Sequence, residues 1–192
     1  MHLTRRGEYA LRTLIRIGVA HSLGREVIAV SDLAESEKLP LKFIEQILRQ
    51  LREAGYIDSR RGKFGGYLIA KPLDKIKMGE IVRLIDGRLA PIACASETYY
   101  ERCTCPDEEH CGLRMLMIDV RNAIARILDR YTLADVVGVT LRKIKRDKLP
   151  APFGIALRPA AKRSRGTNRQ HADPRDGLLA FLDKDVRKKR TT

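Results

Sequence analysis

Pro40-Leu41-Lys42-Phe43-Ile44-Glu45-Gln46-Ile47-Leu48-Arg49-Gln50-Leu51-Arg52-Glu53-Ala54-Gly55-Tyr56-Ile57-Asp58-Ser59-Arg60-Arg61-Gly62-Lys63-Phe64-Gly65-Gly66-Tyr67-Leu68-Ile69 carries the pattern that decides the fold. Proline is tolerated at the start of a helix because its missing N–H has no partner there. From Pro40 to Ala54, Leu41, Ile44, Leu48 and Leu51 recur at three- and four-residue spacing and predict one apolar stripe. Lys42, Gln46, Arg49 and Arg52 are left to face outward. Gly55 fits the left-handed residue that closes a helix. Residues 56–60 and 67–69 read as two strands, with a glycine-rich hairpin tip between them at 61–66.

Upstream, Tyr9, Leu11, Leu14, Ile15, Gly18 and Val19 predict a helix over 4–22, ended by Gly24. The β-branched run 27–30 predicts a short strand. Ser31 is a suitable N-cap for a short helix over 32–38. The order helix, strand, helix, turn, helix, hairpin is the plan of a winged helix-turn-helix, placed at residues 1–75. The chain is therefore expected to be mostly α with a small β-hairpin wing, the winged domain being followed by a long dimerisation helix.

A recognition helix presents polar side chains from its first turns to base edges in the major groove. Lys42, Phe43, Gln46 and Arg49 are the candidates. Gln pairs with adenine, Arg or Lys with guanine, and an aromatic ring can touch a thymine methyl. On the wing, Arg60, Arg61 and Lys63 surround glycines that permit close backbone approach to phosphates or a minor groove. The competing reading is an ordinary solvated helix face, with Phe43 partly buried, and a tight turn. The combination of helix and basic hairpin favours a double-stranded DNA operator as partner. The hairpin is not a nucleotide-binding phosphate loop, because it lacks Gly-x-x-x-x-Gly-Lys-Ser/Thr and a following strand–helix unit.

Residues 76–145 form the second expected unit. A helix over 78–85 is stopped by Asp86-Gly87. Residues 90–112 hold all four cysteines, Cys94, Cys103, Cys105 and Cys111, with the acidic run Asp107-Glu108-Glu109 and little periodicity. Four thiols in one polar loop are not explained by core packing. The paired Cys-x-x-Cys knuckles of a structural zinc site are missing, although His110 beside Cys111 keeps zinc open. Iron–sulfur clusters accept looser spacing. Unligated thiols that form a redox disulfide are the remaining reading. Leu113, Met117, Val120, Ile124, Ile127 and Tyr131 then alternate four and three residues apart, a seam for a homodimer through the 113–131 helix. Thr132 with Asp135 predicts a capped last helix to about 144.

The 192 residues carry 38 Lys+Arg and 24 Asp+Glu, a net charge of +14. From Arg142 onward there are 16 basic residues against 5 Asp, so most of the excess lies at the C-terminal end. Residues 146–192 are expected to be a basic, disordered tail, in which 177–182 form a short apolar run able to dock. Such a tail attracts nucleic acid without sequence preference. No apolar run reaches the ~20 residues that span a bilayer, which argues against a membrane partner. The N-terminus lacks a signal peptide, so a cytoplasmic location with reduced thiols is expected. No nucleophile–base pair points to an enzyme.

The opening Met1-His2-Leu3-Thr4-Arg5-Arg6-Gly7-Glu8-Tyr9-Ala10-Leu11-Arg12, the 43–57 helix with its exit, the 59–68 wing and Tyr131-Thr132-Leu133-Ala134-Asp135-Val136 resemble the Rrf-two family of bacterial repressors. The resemblance covers about residues 1–140. It implies a homodimeric winged-helix transcription factor whose long helix crosses to the partner. In cluster-binding members, three cysteines between wing domain and dimer helix hold a [2Fe-2S] or [4Fe-4S] cluster. The Cys105-x5-Cys111 spacing matches the last two of these, and Cys94 falls where the first is expected, with a longer gap to Cys105. Cys103 is additional and the nearest candidate for a fourth ligand, with Glu8 the other. The wing usually reads Arg-Gly-x-Gly-Gly-Gly-Tyr, and Lys63-Phe64 stand here in place of small residues. The resemblance implies a DNA-binding regulator that senses iron–sulfur, iron, redox or nitrosative status. The alternatives are a regulator that acts by binding a metabolic enzyme and a zinc or thiol-switch DNA binder without a cluster.

Overall fold

A computed structural model of the chain describes residues 3–154. Six α-helices and one hairpin follow in the order α1 (Arg5–Ser22), α2 (Val30–Glu37), α3 (Leu41–Glu53), β1 (Ile57–Arg60), β2 (Gly66–Ile69), α4 (Met78–Asp86), α5 (Gly112–Arg130) and α6 (Leu133–Arg146). α1 is the hub, packed against α2, α3, β2, α4 and α6. The core is aliphatic: Leu14 and Ile17 of α1, Ile44, Ile47, Leu48 and Leu51 of α3, Ile57, Ile76, Ile81 and Leu133 are fully buried.

α3 buries Ile44, Ile47, Leu48 and Leu51, so the stripe is rotated from the predicted one. Leu41 is 45% exposed. It is the first helical residue and precedes the turn that meets the core. Pro40 is extended (φ −58°, ψ 135°) and occupies the cap position, one residue earlier than expected. The turn between α2 and α3 closes on Lys38 in the left-handed region (φ 54°).

The predicted strand over 27–30 is reduced to one bridge. Ile28 N–H donates to Tyr67 O at 2.9 Å and Tyr67 N–H donates to Ile28 O at 2.8 Å. α2 begins at Val30 behind Ala29, not behind Ser31, and consumes the rest of that run. A Cβ on Gly66 would collide with the Ile28 carbonyl, so the glycine permits this close pairing. The hairpin is antiparallel, with Ile57 opposite Ile69 and Arg60 opposite Gly66.

Polar contacts tie α1 to α4 and α4 to α5. Thr4 caps α1 by accepting from Gly7 N–H at 3.0 Å. Thr4 N–H in turn donates to Asp86 at the end of α4, at 3.0 Å. A Cβ on Gly7 would occupy the Asp86 carboxylate's place. Further along, Arg83 of α4 grips Asp129 of α5 through two hydrogen bonds, at 2.6 and 2.7 Å. Gly79 leaves the room that Asp129 needs. The hydrogen bonds from Arg83, foremost, hold the Asp129 carboxyl below its usual range. This pairing stabilises the fold above the unfolded carboxylate range, near pH 3.9, and is lost as pH falls through the lower folded value. Asp129→Asn should therefore cost about 1 kcal/mol at neutral pH, since both partners are partly in water. Its urea midpoint should converge with the wild-type value under acid conditions.

α5 buries no residue completely. Leu113, Met115, Leu116 and Ile127 are more than half exposed, while Tyr131 joins the core. The expected seam therefore loses Tyr131, and its Met117 and Ile124 are half-buried. The apolar face left open runs through Leu113, Leu116, Ala123 and Ile127, with half-buried Val120 between them. The capping box at Thr132 and Asp135 is formed.

α6 continues to Arg146, and the chain then turns back. The short 3-10 turn Pro152–Gly154 packs on α1 and α2. Arg25 lies over the Phe153 ring, 5.5 Å from its centroid, donates to the Phe153 carbonyl at 3.4 Å and pairs with Asp32. The start of the expected tail is thus laid on the winged domain. The 177–182 run lies outside the described residues. Among the described residues, no helix is long and apolar enough to cross a membrane.

Candidate nucleic-acid interface and thiol cluster

Lys42, Gln46 and Arg49 follow one another at four- and three-residue spacing and are all exposed, on the side of α3 opposite its buried residues. Phe43 is only half-exposed. Its ring meets Tyr9 of α1 edge-on, with centroids 5.7 Å apart and planes at 87°, and it packs against the core. The wing presents Arg60, Arg61 and Lys63 to solvent. Arg52 of α3 donates to Ser59 of β1 at 3.4 Å, which links helix and wing. Six of the seven sequence-predicted DNA residues thus lie open on helix and wing, and Phe43 is half-buried against Tyr9.

What holds α2 and α3 in place was missed by the sequence reading. Glu37, at the end of α2, has a side chain only 2% exposed, and it accepts from Arg12 Nε and Arg16 Nε of α1, both at 2.7 Å. The signal was available as two arginines one turn apart on α1. Nothing in the linear pattern names their partner 21 residues on.

The cysteine loop folds onto α5. Cys94 sits buried in the 3-10 turn Ala93–Ala95, and Cys111 is the N-cap of α5. Arg114 donates to the Cys94 carbonyl at 3.0 Å and Arg121 to the Ala95 carbonyl at 2.7 Å, so α5 fixes the position of this turn. Cys103 lies near enough to Cys94 and Cys105, and Cys111 to Cys105, to perturb those thiols electrostatically. All four cysteines are free thiols. The hydrogen bond to Cys103, first, and the charge on the neighbouring sulfurs push the Cys105 thiol up to about 11. Burial, foremost, raises Cys94.

His110 is exposed and pairs with Asp107 in its own turn, at 2.8 Å. Glu8 is exposed and pairs with Arg12 at 3.3 Å within α1. Among the described residues, no three His, Cys, Asp or Glu side chains converge on one metal-sized point. The loop nonetheless carries four free thiols, soft donors of the kind that clusters and zinc accept.

The family model described as an iron-dependent transcriptional regulator, Rrf2, matches residues 3–138. The chain belongs to the Rrf2 family. An rrf2-like HTH-type transcriptional regulator of Rhodobacter capsulatus is 33% identical over 138 residues, which cover 71% of this chain and 92% of that one. The NsrR regulator of Geobacillus kaustophilus is 31% identical, over 77% of this chain and 99% of its own. Among solved structures, CymR, the global cysteine regulator of Bacillus subtilis, superposes with a TM-score of 0.61 at 28% identity, covering 72% of this chain and 98% of that one. As an Rrf2 protein the chain is a winged-helix, DNA-binding transcriptional regulator and not an enzyme. The Rrf2 match ends within α6, so the returning 149–154 segment lies beyond it.

Proposed function

We propose that this Rrf2 protein binds operator DNA as a homodimer and that an iron–sulfur cluster held by Cys94, Cys103, Cys105 and Cys111 sets its affinity, acting as a repressor. The observation that carries this reading is four free thiols in one loop packed on α5, with Cys94 buried in the turn that Arg114 holds and Cys111 at the helix's N-terminus. Lys42, Gln46 and Arg49 read base edges in the major groove, and Arg60, Arg61 and Lys63 bind at the wing. The two half-sites are spaced by the dimer, one helical turn of ~34–36 Å or a multiple apart. Leu113, Leu116, Val120, Ala123 and Ile127 of α5 supply the seam.

When bound, a cluster supplies redox and iron-exchange chemistry that the thiols alone lack. The chain's own residues carry the consequence. Cys111 caps α5, so a rearrangement of the sulfurs acts on the first turn of that helix. Arg114 and Arg121 move with it. Arg83 and Asp129 pass the displacement to α4, whose Asp86 holds the start of α1. A dimer whose recognition helices shift can no longer occupy both half-sites together. A DNA-reading part at 1–75 and a sensing and dimerising part at 76–145, joined through one core, fit this division of labour.

The test is protein purified anaerobically, with its visible spectrum and its iron, sulfide and zinc contents. Coloured protein with stoichiometric iron and sulfide is expected. It should differ from the stripped form at least tenfold in affinity for duplexes selected from a randomised library. Equal affinity of the two forms would sink the sensing role. A second reading is a zinc-bound or thiol-switch regulator, and its thiol-switch version is favoured because, among the described residues, no three donors meet at one metal-sized point. Colourless protein after reconstitution supports it, and the zinc content then separates its two versions.

A further inference from the structure

The tip of the wing carries a group that this reading scheme leaves unused. Phe64 is 85% exposed, the most exposed of the large apolar side chains described. It belongs neither to the core nor to the apolar residues packed on it. Its turn is tightly built. Gly65 N–H donates to the Gly62 carbonyl at 2.9 Å, which leaves Lys63 and Phe64 as the two corner residues. Gly62 has φ +109°, and a Cβ on Gly65 would collide with the Arg60 carbonyl. A bulkier residue at either position would open the turn, so the glycines fix the ring at the apex.

The apex is also cationic. Lys63 Nζ lies 5.8 Å from the Phe64 ring centroid, and the exposed Arg60, at the end of β1, and Arg61, just past it, stand behind it. Phosphates are the complement of these three charges, and a protruding ring among them has one partner that removes it from water, a DNA base step. Apolar wedges of this kind partly unstack a step from the minor groove and bend the duplex toward the major groove. Pyrimidine–purine steps unstack most readily.

We infer that Phe64 is a minor-groove wedge, which inserts at a TA or CA/TG step beside the sequence read by α3 and bends the operator there. The inference rests on the DNA reading proposed above. A dimer would place two such wedges symmetrically, so the wing adds a preference for deformable steps at positions that make no base hydrogen bond. Lys63, Arg60 and Arg61 hold the flanking phosphates while the ring enters.

Wild-type full chain is used to select duplexes from a randomised library, and the selected duplex is labelled at both ends for energy transfer. Wild type and Phe64→Leu should enrich a pyrimidine–purine step at the wing position and shorten the end-to-end distance. Phe64→Ala should bind the same duplex roughly tenfold more weakly, the scale of one lost base–aromatic contact. It should bend the duplex less, yet keep the salt slope, because the phosphate contacts remain. Its melting temperature should equal that of wild type, since the ring stands in water. Replacing the flexible step with a stiff A-tract should weaken wild type and leave Phe64→Ala unaffected. Identical bend, affinity and step preference in wild type and Phe64→Ala overturn the wedge and leave the DNA reading intact. A wild-type protein that enriches no sequence removes both.

Discussion

Arg12→Met combined with Arg16→Met is expected to destabilise the protein by about 3–5 kcal/mol, more than any change to Glu37 itself. The asymmetry follows from burial. The Glu37 side chain is 2% exposed, whereas those of Arg12 and Arg16 are 45% and 38% exposed. Without its arginines the carboxylate stays out of water with no counter-charge. Without Glu37 the arginines turn to solvent, and Glu37→Gln should cost only about 1–2 kcal/mol, the scale of lost charged hydrogen bonds. Urea unfolding of the three proteins gives the order directly. Equal losses would mean that the carboxylate is hydrated and that α2 is held by Leu33 and its neighbours alone. Because α2 supports the turn into α3, operator affinity should fall only as the folded fraction falls.

Leu116→Glu with Ile127→Glu is expected to give a folded monomer and to reduce operator affinity at least a hundredfold, the usual scale of lost bivalency. Both side chains are more than half exposed on α5, at 56% and 52%. Placing charge there leaves the helix's contacts with α4 intact and opposes only a second copy. Sedimentation should show halved mass, and circular dichroism an unchanged helical signal. A variant that stays dimeric with wild-type affinity would place the dimer interface elsewhere.

Much of the winged domain was legible before any coordinates. The glycines and charges of 55–66 mark turns and a wing because their local conformational demands override distant context. The thiols and the Thr132–Asp135 capping box could likewise be named from short spacings. Leu41 and Ser31 were misplaced for one reason. Apolar spacing identifies a helix but leaves its rotation and its first residue open by one position, and packing against α1 settled both. Phe43 is an aromatic on a candidate DNA face by spacing, and a packing residue because Tyr9 comes to meet it. Tyr131 continues a heptad by counting, yet it is buried because the chain bends between α5 and α6.

The sequence by itself determined the order of elements, the basic wing, the presence of four soft donors in one loop and the membership these imply. Each depends on residues within a turn or two of one another, where covalent connection keeps neighbours together. Only the tertiary structure decided that the Cys94 turn is held by Arg114 of α5, that Glu37 is closed over by two arginines of α1, which face of α5 stays open, and that Phe64 stays out of the core. Those are contacts, or their absence, between segments far apart in the chain. They are set by how helices with several acceptable rotations share one core, and local pattern carries no information about that choice.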